Sequence, residues 1–457
     1  MLIRICFIIL LLSSCSKKSS DTTWDVVSNG GVTKITPAMA LSNIGAYVLK
    51  QTHRTIFSYD KNGNLDSKIL KTWSTSRDYK QIKFCIDESI SFNETRHFDT
   101  KSLKETVNGA IKDDQEYTIT EKDNCLNYTF KTSAKYLLYK LTLLFHAPSI
   151  KSDIENVEIG LGDFKVLVHS PQQVHLVRKN EKKNAYNTIK FYDISSFDKT
   201  KLNDSIEDYN RISPSQIPQG IKENYNMFNV SILKSAIVIF NIEDDKSRSK
   251  IFNCISTSKL RNILFENQEN KVSLKYITPI GIPGSEQGSP KQNCDSSKLD
   301  KTFIFANWKH DKKEQLQQYF DELSKQIGIK VQVKNFSFQE LNEMVWKTKT
   351  GYDLVVPFLD STQNAVAETF SAFANQEQKF FNFDTSYLMD NYNELMNIGN
   401  KSDIAKLVKK LNVQVEENHL AIPLKQVTRP FFFPKRLKRF SIGSDLLEHP
   451  DVGSIEL

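Results

Sequence analysis

The sequence predicts an α/β protein in two unlike parts, a β-rich first part followed by one in which strands and helices alternate. Three observations carry this. From about Ile56 to Ile242 the apolar residues recur mostly in short runs of period two, the pattern of half-buried strands. From Thr302 onward the period lengthens to that of amphipathic helices set between short apolar strands, which implies a parallel sheet with right-handed crossovers. The chain of 457 residues is long enough for two or three domains and a large core.

The amino terminus stands apart. Arg4 is followed by an unbroken apolar run from Ile5 to Leu12 and then by Leu12-Ser13-Ser14-Cys15. The run falls well short of the ~20 residues that a membrane-spanning helix needs, so it reads as a signal sequence. Leu-Ser-Ser-Cys resembles a bacterial lipobox. That resemblance implies a thioether-linked diacylglycerol on Cys15, cleavage before it and acylation of the new amino terminus. Residues 1–14 are therefore expected to be a signal peptide and 15–23 a lipidated, polar tether. No later apolar run approaches spanning length, so the mature body is expected to be soluble. The formal charge of +7 is small for the length, and acids and bases are interspersed, which excludes a nucleic-acid footprint.

In the first part, Gln81 to Ile86 and Tyr117 to Thr120 alternate as strands. Phe164 to Val168 and Val174 to Val177 are further short strands, and Ser235 to Ile242 is an apolar strand-like run. Asp60-Lys61-Asn62-Gly63-Asn64 carries an Asn-Gly turn signal.

In the second part, Phe303-Ile304-Phe305 is a strand. Asp311 is placed to cap the helix that follows, with Glu314 completing a capping box. Leu316, Tyr319, Phe320, Leu323 and Ile327 form one apolar stripe, and Gly328 ends the helix. Ile329, Val331 and Val333 alternate as a strand, Phe338 to Trp346 is a second helix and Tyr352 to Phe358 a third strand. Two more helices are expected around Asp384–Asn397 and Ser402–Asn418, the latter with Ile404, Leu407, Val408, Leu411 and Val415 on one face. Ser285 to Ser297 reads as a long surface loop.

The mature chain holds Cys85, Cys125, Cys254 and Cys294, an even number that suits disulfides in an exported protein. Three pairings are possible; Cys85–Cys125 and Cys254–Cys294 are favoured because each pair is close in sequence and lies within one part. No CxxC spacing suggests a metal site, and the eight histidines are scattered. There is no GxSxG, HExxH, P-loop or GxGxxG after a strand, so the expectation is a non-enzyme without metal or cofactor.

Several segments then matter together. Val48 to Asp60 is followed by Asn62-Gly63-Asn64-Leu65 and Ile69-Leu70-Lys71-Thr72-Trp73. Lys80 to Phe98 follows, ending in Phe92-Asn93-Glu94-Thr95-Arg96-His97-Phe98. Later come Gly160-Leu161-Gly162-Asp163-Phe164-Lys165-Val166, Val174 to Asn180, Ile237 to Asn241, Gly328-Ile329-Lys330-Val331, Tyr352-Asp353-Leu354 and Ala421-Ile422-Pro423-Leu424. In this order, over roughly residues 41 to 440, they resemble the bacterial extracellular solute-binding proteins of family 5, the oligopeptide- and dipeptide-binding proteins of ABC importers. Leu161 and Asp163 stand where the family has Thr and Pro.

The resemblance implies a two-lobed periplasmic-binding-protein fold of class II type, with a β-rich first lobe and a central ligand cleft. Lobe I would span 24–240, completed by 427–457, and lobe II 241–426. The implied partners are a peptide or other small solute and the permease subunits of an ABC transporter. The implied state is a monomer, lipid-anchored in the periplasm or cell envelope. Asp360 matches the family's acceptor of a peptide amine and Phe358 its approximate Trp place; the competing reading of Asp360 is an N-cap for a helix over Gln363–Phe373. Gln51-Thr52-His53-Arg54 matches the ligand-facing stretch, with Arg54 set to bind a carboxylate or to form a surface ion pair. Arg429 is a further candidate. Two other classes stay open: a sensor or scaffold of the same fold, and a secreted hydrolase. The hydrolase would need paired carboxylates roughly 5–10 Å apart, for which there is no motif.

Overall fold

A computed structural model describes residues 22–455 except 29, 42, 60–64, 112–114, 196, 198–205, 211–216, 218, 266–271, 296, 349, 362–365, 375–379, 398–400 and 436–448. The signal segment, Cys15 and the tether up to 21 lie outside the described residues, as does the Asn-Gly turn at 60–64.

The chain folds into two lobes of mixed α/β structure. In the first, a five-stranded sheet sets Thr23–Ser28 in parallel between Thr188–Asp193 and Asp208–Asn210, with Gln173–Arg178 and Phe164–Ser170 added antiparallel. Trp24, Val26, Val174, Leu176, Ile189 and Phe191 send alternate side chains from it into one core, against the helix Asn43–Thr52. A four-stranded antiparallel sheet, from Leu70–Thr75 to Cys125–Phe130, carries a second core beneath the helices Thr100–Ala110 and Lys135–Lys140. Cys85 and Cys125 face each other across this sheet and are disulfide-bonded.

The second lobe is a six-stranded sheet with helices on both faces. Thr302–Asn307 runs parallel to Lys330–Asn335 and to Leu354–Val355. Because both faces are covered, the central stretch Ala236–Phe240 is apolar without interruption, whereas Lys330–Asn335 at the sheet's edge alternates. Ile237 and Ile239 enter the core beneath the helices Val366–Ala374, Met389–Asn397 and Lys401–Glu417. Ala236, Val238 and Phe240 enter the opposite core, beneath Asp245–Cys254, Thr257–Leu264 and Lys313–Ile327. Cys254 and Cys294 are disulfide-bonded and tie the 285–297 loop to this second layer.

The lobes are joined by two long antiparallel strands, Tyr225–Phe240 and Ala421–Pro434, paired from Tyr225 opposite Pro434 to Ile239 opposite Ala421 with register shifts between Ser231 and Ser235 and between Ala236 and Ile237. Tyr225, Phe432 and Phe433 pack into first-lobe cores, whereas residues 236–240 pack into those of the second. The lobes also touch elsewhere: Met396 packs against both the second-lobe core and the core of the four-stranded sheet.

Three local expectations are corrected. The helix Lys313–Ile327 buries its predicted stripe and ends at Gly328 in the left-handed region, φ 80°, as its sequence requires. Asp311 does not cap it: residues 310–312 form a 3-10 turn, and Lys312 occupies the N-cap without a side-chain bond. The capping box is instead at Ser337 and Glu340, opening the next helix, which gives way after Glu343 to a π-turn over Met344–Thr348. The strand expected over Tyr352–Phe358 is broken. Leu354–Val355 joins the parallel ladder, while Phe358–Asp360 pairs only with Lys234–Ala236, antiparallel. Pro357 lies between them; lacking an N–H, it cannot continue the ladder.

Candidate functional site

Two groups of side chains deserve description, one in each lobe. In the second lobe the parallel strand Thr302–Asn307 ends at the sheet's carboxyl edge and is followed at once by Trp308 and Lys309. Open α/β sheets place ligands at that edge. The break at Pro357 carries Phe358 to the same place, where its ring lies 5.8 Å from Trp308 and 6.3 Å from Phe265. Lys309 Nζ sits 5.1 Å from the centre of the Phe265 ring and 5.2 Å from that of Trp308, and donates to the carbonyl of Leu264. Lys425, fully buried, holds its Nζ 5.3 Å from the centre of the Phe265 ring. A cation over an aromatic face is attracted by the ring quadrupole. Burial holds the Lys309 ammonium below its ordinary pKa, with Asp311 opposing that shift.

Strand register adds charge to this aromatic group. Phe358 lies opposite Ala236, and Asp360 lies opposite Lys234 two residues along. Side chains two apart on a strand share a face, so Lys234 and Asp360 lie on the same side as Phe358. Asp360 Oδ1 is 2.7 Å from Lys234 Nζ; the carboxylate side chain is 53 % exposed and the lysine 20 %. Asp360 is thus the last residue of a strand, paired with a lysine. The described part of the helix it was set to cap is Val366–Ala374.

In the first lobe, His53 ends the segment after helix Asn43–Thr52 and is 2 % exposed. Its Nδ1 is 2.8 Å from Thr52 Oγ1, and its Nε2 has no partner. Burial first, and the nearby Lys179 second, lower its pKa to about 3, so the ring is neutral. The glycines of Gly160-Leu161-Gly162 explain how it is covered. A β-carbon on Gly160 would lie 2.4 Å from the His53 ring, and one on Gly162 would lie 2.3 Å from the Thr52 backbone. Lys179 clasps this crossing by donating to Gly160 O at 2.9 Å and Phe92 O at 3.0 Å. Desolvation brings its pKa down to about 8. Arg54, about one-third exposed, pairs with Asp163, which also lies 3.9 Å from the buried Arg178. A cavity of about 490 Å³ lies beside this crossing, lined by Thr52, Phe92, Glu94, Glu158, Lys165 and Lys179 among others.

Of the residues singled out in the sequence, the structure brings Phe358 and Asp360 together in the second lobe, and His53 and Arg54 in the first. Arg429 lies in the joining strand opposite Val230; its side chain is outside the described residues. Lys234, Phe265, Trp308, Lys309 and Lys425 were not picked out. Trp308-Lys309 could have been, since it directly follows a predicted parallel strand. Phe265 and Lys425 come from distant segments and carry no local signal. Among the described residues no group of His, Cys, Asp or Glu could hold a metal ion, and no helix is long and apolar enough to cross a membrane.

Two lobes of mixed α/β structure joined by two paired long strands define the two-lobed fold of periplasmic solute-binding proteins. Solved structures bear this out. The dipeptide-binding protein of Pseudoalteromonas sp. SM9913, in complex with Met-Leu, has a TM-score of 0.74 at 11% identity, covering 93% of this chain and 99% of that one. A putative peptide-binding protein AppA from Clostridium difficile scores 0.72 at 14% identity, covering 95% and 100%. NikA from Staphylococcus aureus, in complex with Ni(L-His)2, scores 0.70 at 11% identity, covering 93% and 97%. At such identities the likeness establishes the fold. No family model and no curated protein matches the chain.

Proposed function

We propose that this protein is an extracytoplasmic solute-binding lipoprotein that captures a peptide, or a similar small solute, between its lobes and delivers it to an ABC transporter permease. The observation that carries the reading is the aromatic and charged cluster at the carboxyl edge of the second-lobe sheet, on a fold shared with binders of peptides and of a nickel chelate. Phe358–Asp360 is also an edge strand, whose outer side pairs with no other strand among the described residues. An extended peptide could add to it through main-chain hydrogen bonds, which are indifferent to side-chain identity. In this reading Phe358 and Asp360 line the second-lobe side. Arg54 keeps donors beyond those used by Asp163 and serves the first-lobe side. His53, under Gly160, shapes that side from beneath, and Arg429 lies in the joining strand. In this reading the lobes divide along the two long strands, with 24–240 and 427–457 assigned to one lobe and 241–426 to the other, although residues 236–240 at the boundary already pack into the second-lobe cores. Ligand touching both lobes favours the closed form by differential affinity.

The test is mass spectrometry of solutes retained by the purified mature protein, followed by calorimetric titration of whatever is found and of pooled peptides. A protein that retains nothing and binds no peptide or chelate sinks the reading. The anchor is tested separately. Cys15→Ser removes the thiol that would be acylated, so the variant is expected to stay an uncleaved precursor and leave the detergent phase. Unchanged partitioning would refute the lipid attachment.

A further inference from the structure

The charges of the second-lobe cluster do not suit a ligand amine. Asp360, which shares a strand face with Phe358, is already paired with Lys234 at 2.7 Å across the strands. An ammonium arriving at Asp360 would have to displace Lys234 or sit beside it, and like charges brought together in a partly desolvated place repel. Lys309 has the opposite character. Its ammonium has three donors. One goes to the Leu264 carbonyl, and the rest of its neighbourhood is the faces of Phe265 and Trp308. Among the described residues it forms no ion pair: Asp311, the acid acting on it, lies 4.0 Å from Lys312. The Nζ of the buried Lys425 lies 5.3 Å from the centre of the same Phe265 ring. The pair Lys234–Asp360 is neutral, which leaves Lys309 as a cation of this cluster that no acid among the described residues pairs.

We propose that this cluster reads a compact anion on the ligand, such as a carboxylate, with Lys309 as its counter-ion over the Phe265–Trp308 shelf, and that Lys234 keeps Asp360 from acting as an amine acceptor. This deepens the binding reading above and rests on it. A peptide whose amine is free but whose carboxyl is blocked is disfavoured here; a peptide with a blocked amine and a free carboxylate is accepted.

The mature protein is titrated with pooled tripeptides in three forms: N-acetylated acids, free zwitterions and C-terminal amides with a free amine. The acids are expected to bind about tenfold or more tighter than the amides, the scale set by a partly desolvated charge pair. Lys309→Gln should erase that preference. Lys234→Gln, by releasing Asp360, should strengthen binding of the amides, a gain that misfolding does not produce. Amides that bind wild type as tightly as the acids would overturn the proposal while leaving solute binding intact. So would a neutral or cationic solute co-purifying with a protein that ignores all three pools. Failure to retain any solute would instead bring down the binding reading, and this proposal with it.

Discussion

His53 is held neutral in a place that cannot hydrate its charged form. In the unfolded chain the imidazole takes up a proton near its ordinary pKa of 6.5, whereas in the folded protein it does so only near 3. Between those values the unfolded state binds more protons. Its contribution is therefore unperturbed above about pH 6.5 and turns against the fold as the pH falls toward 3, by up to roughly 1.4 kcal/mol per pH unit. His53→Asn is accordingly expected to flatten the loss of unfolding free energy between pH 7 and pH 5, measured by urea titration. His146, whose pKa is lowered to about 4 by burial and Lys140, contributes to both proteins and cancels. Identical pH slopes for variant and wild type would show that the ring is not shielded as described. The Gly160-Leu161-Gly162 motif has its meaning at this scale too: both glycines are spaces for the 51–53 backbone and the His53 ring, and neither needs a left-handed conformation.

At the scale of elements, capping decides where the second-lobe helices begin. Ser337 accepts from the Glu340 amide while the Glu340 side chain accepts from the Ser337 amide, so two amides at the helix start are satisfied at once. Ser337→Ala is expected to destabilise the protein by about 1 kcal/mol, and Asp311→Ala by much less, since Asp311 caps nothing. Paired denaturant melts of the two variants would distinguish the sites; equal losses would contradict the observed caps. The sequence could not separate them, because both carry an acceptor followed three residues later by Glu. What differs is the 3-10 turn over His310–Lys312, which displaces the helix start beyond Asp311. The break at Pro357 is of the same kind. Periodicity ran through it, but the missing N–H redirected Phe358–Asp360 onto a different strand and so placed the aromatic edge.

For the whole molecule, the joint between the lobes is the part with functional leverage. Beyond the two long strands, helix Met389–Asn397 of the second lobe approaches helix Lys135–Lys140 of the first, and Met396 is packed against a core of each. A contact made between the lobes and needed by neither core alone biases opening. Met396→Glu, which sets a charge in that joint, is expected to raise the radius of gyration of the unliganded protein in small-angle scattering. Circular dichroism should stay unchanged, and affinity for any cleft ligand should weaken. A radius that does not move would show that Met396 is only a surface residue of its own helix.

The alternating fold of the second lobe, its helix stripes, the strands of the first lobe and the disulfide pairs Cys85–Cys125 and Cys254–Cys294 were legible from order and period alone. Each depends on residues within a few turns of one another or on proximity along the chain, and local physics reports such features. The site was legible only in part. Phe358, Asp360 and Arg54 stood out through resemblance. That Lys234 pairs with Asp360, that Lys309 and Lys425 both approach the ring of Phe265, and that His53 is sealed beneath Gly160 depend on strand register and on segments distant in the sequence. A side chain's charge is written in the sequence, but its partner and its share of water are set only when the sheets pair and the cores close.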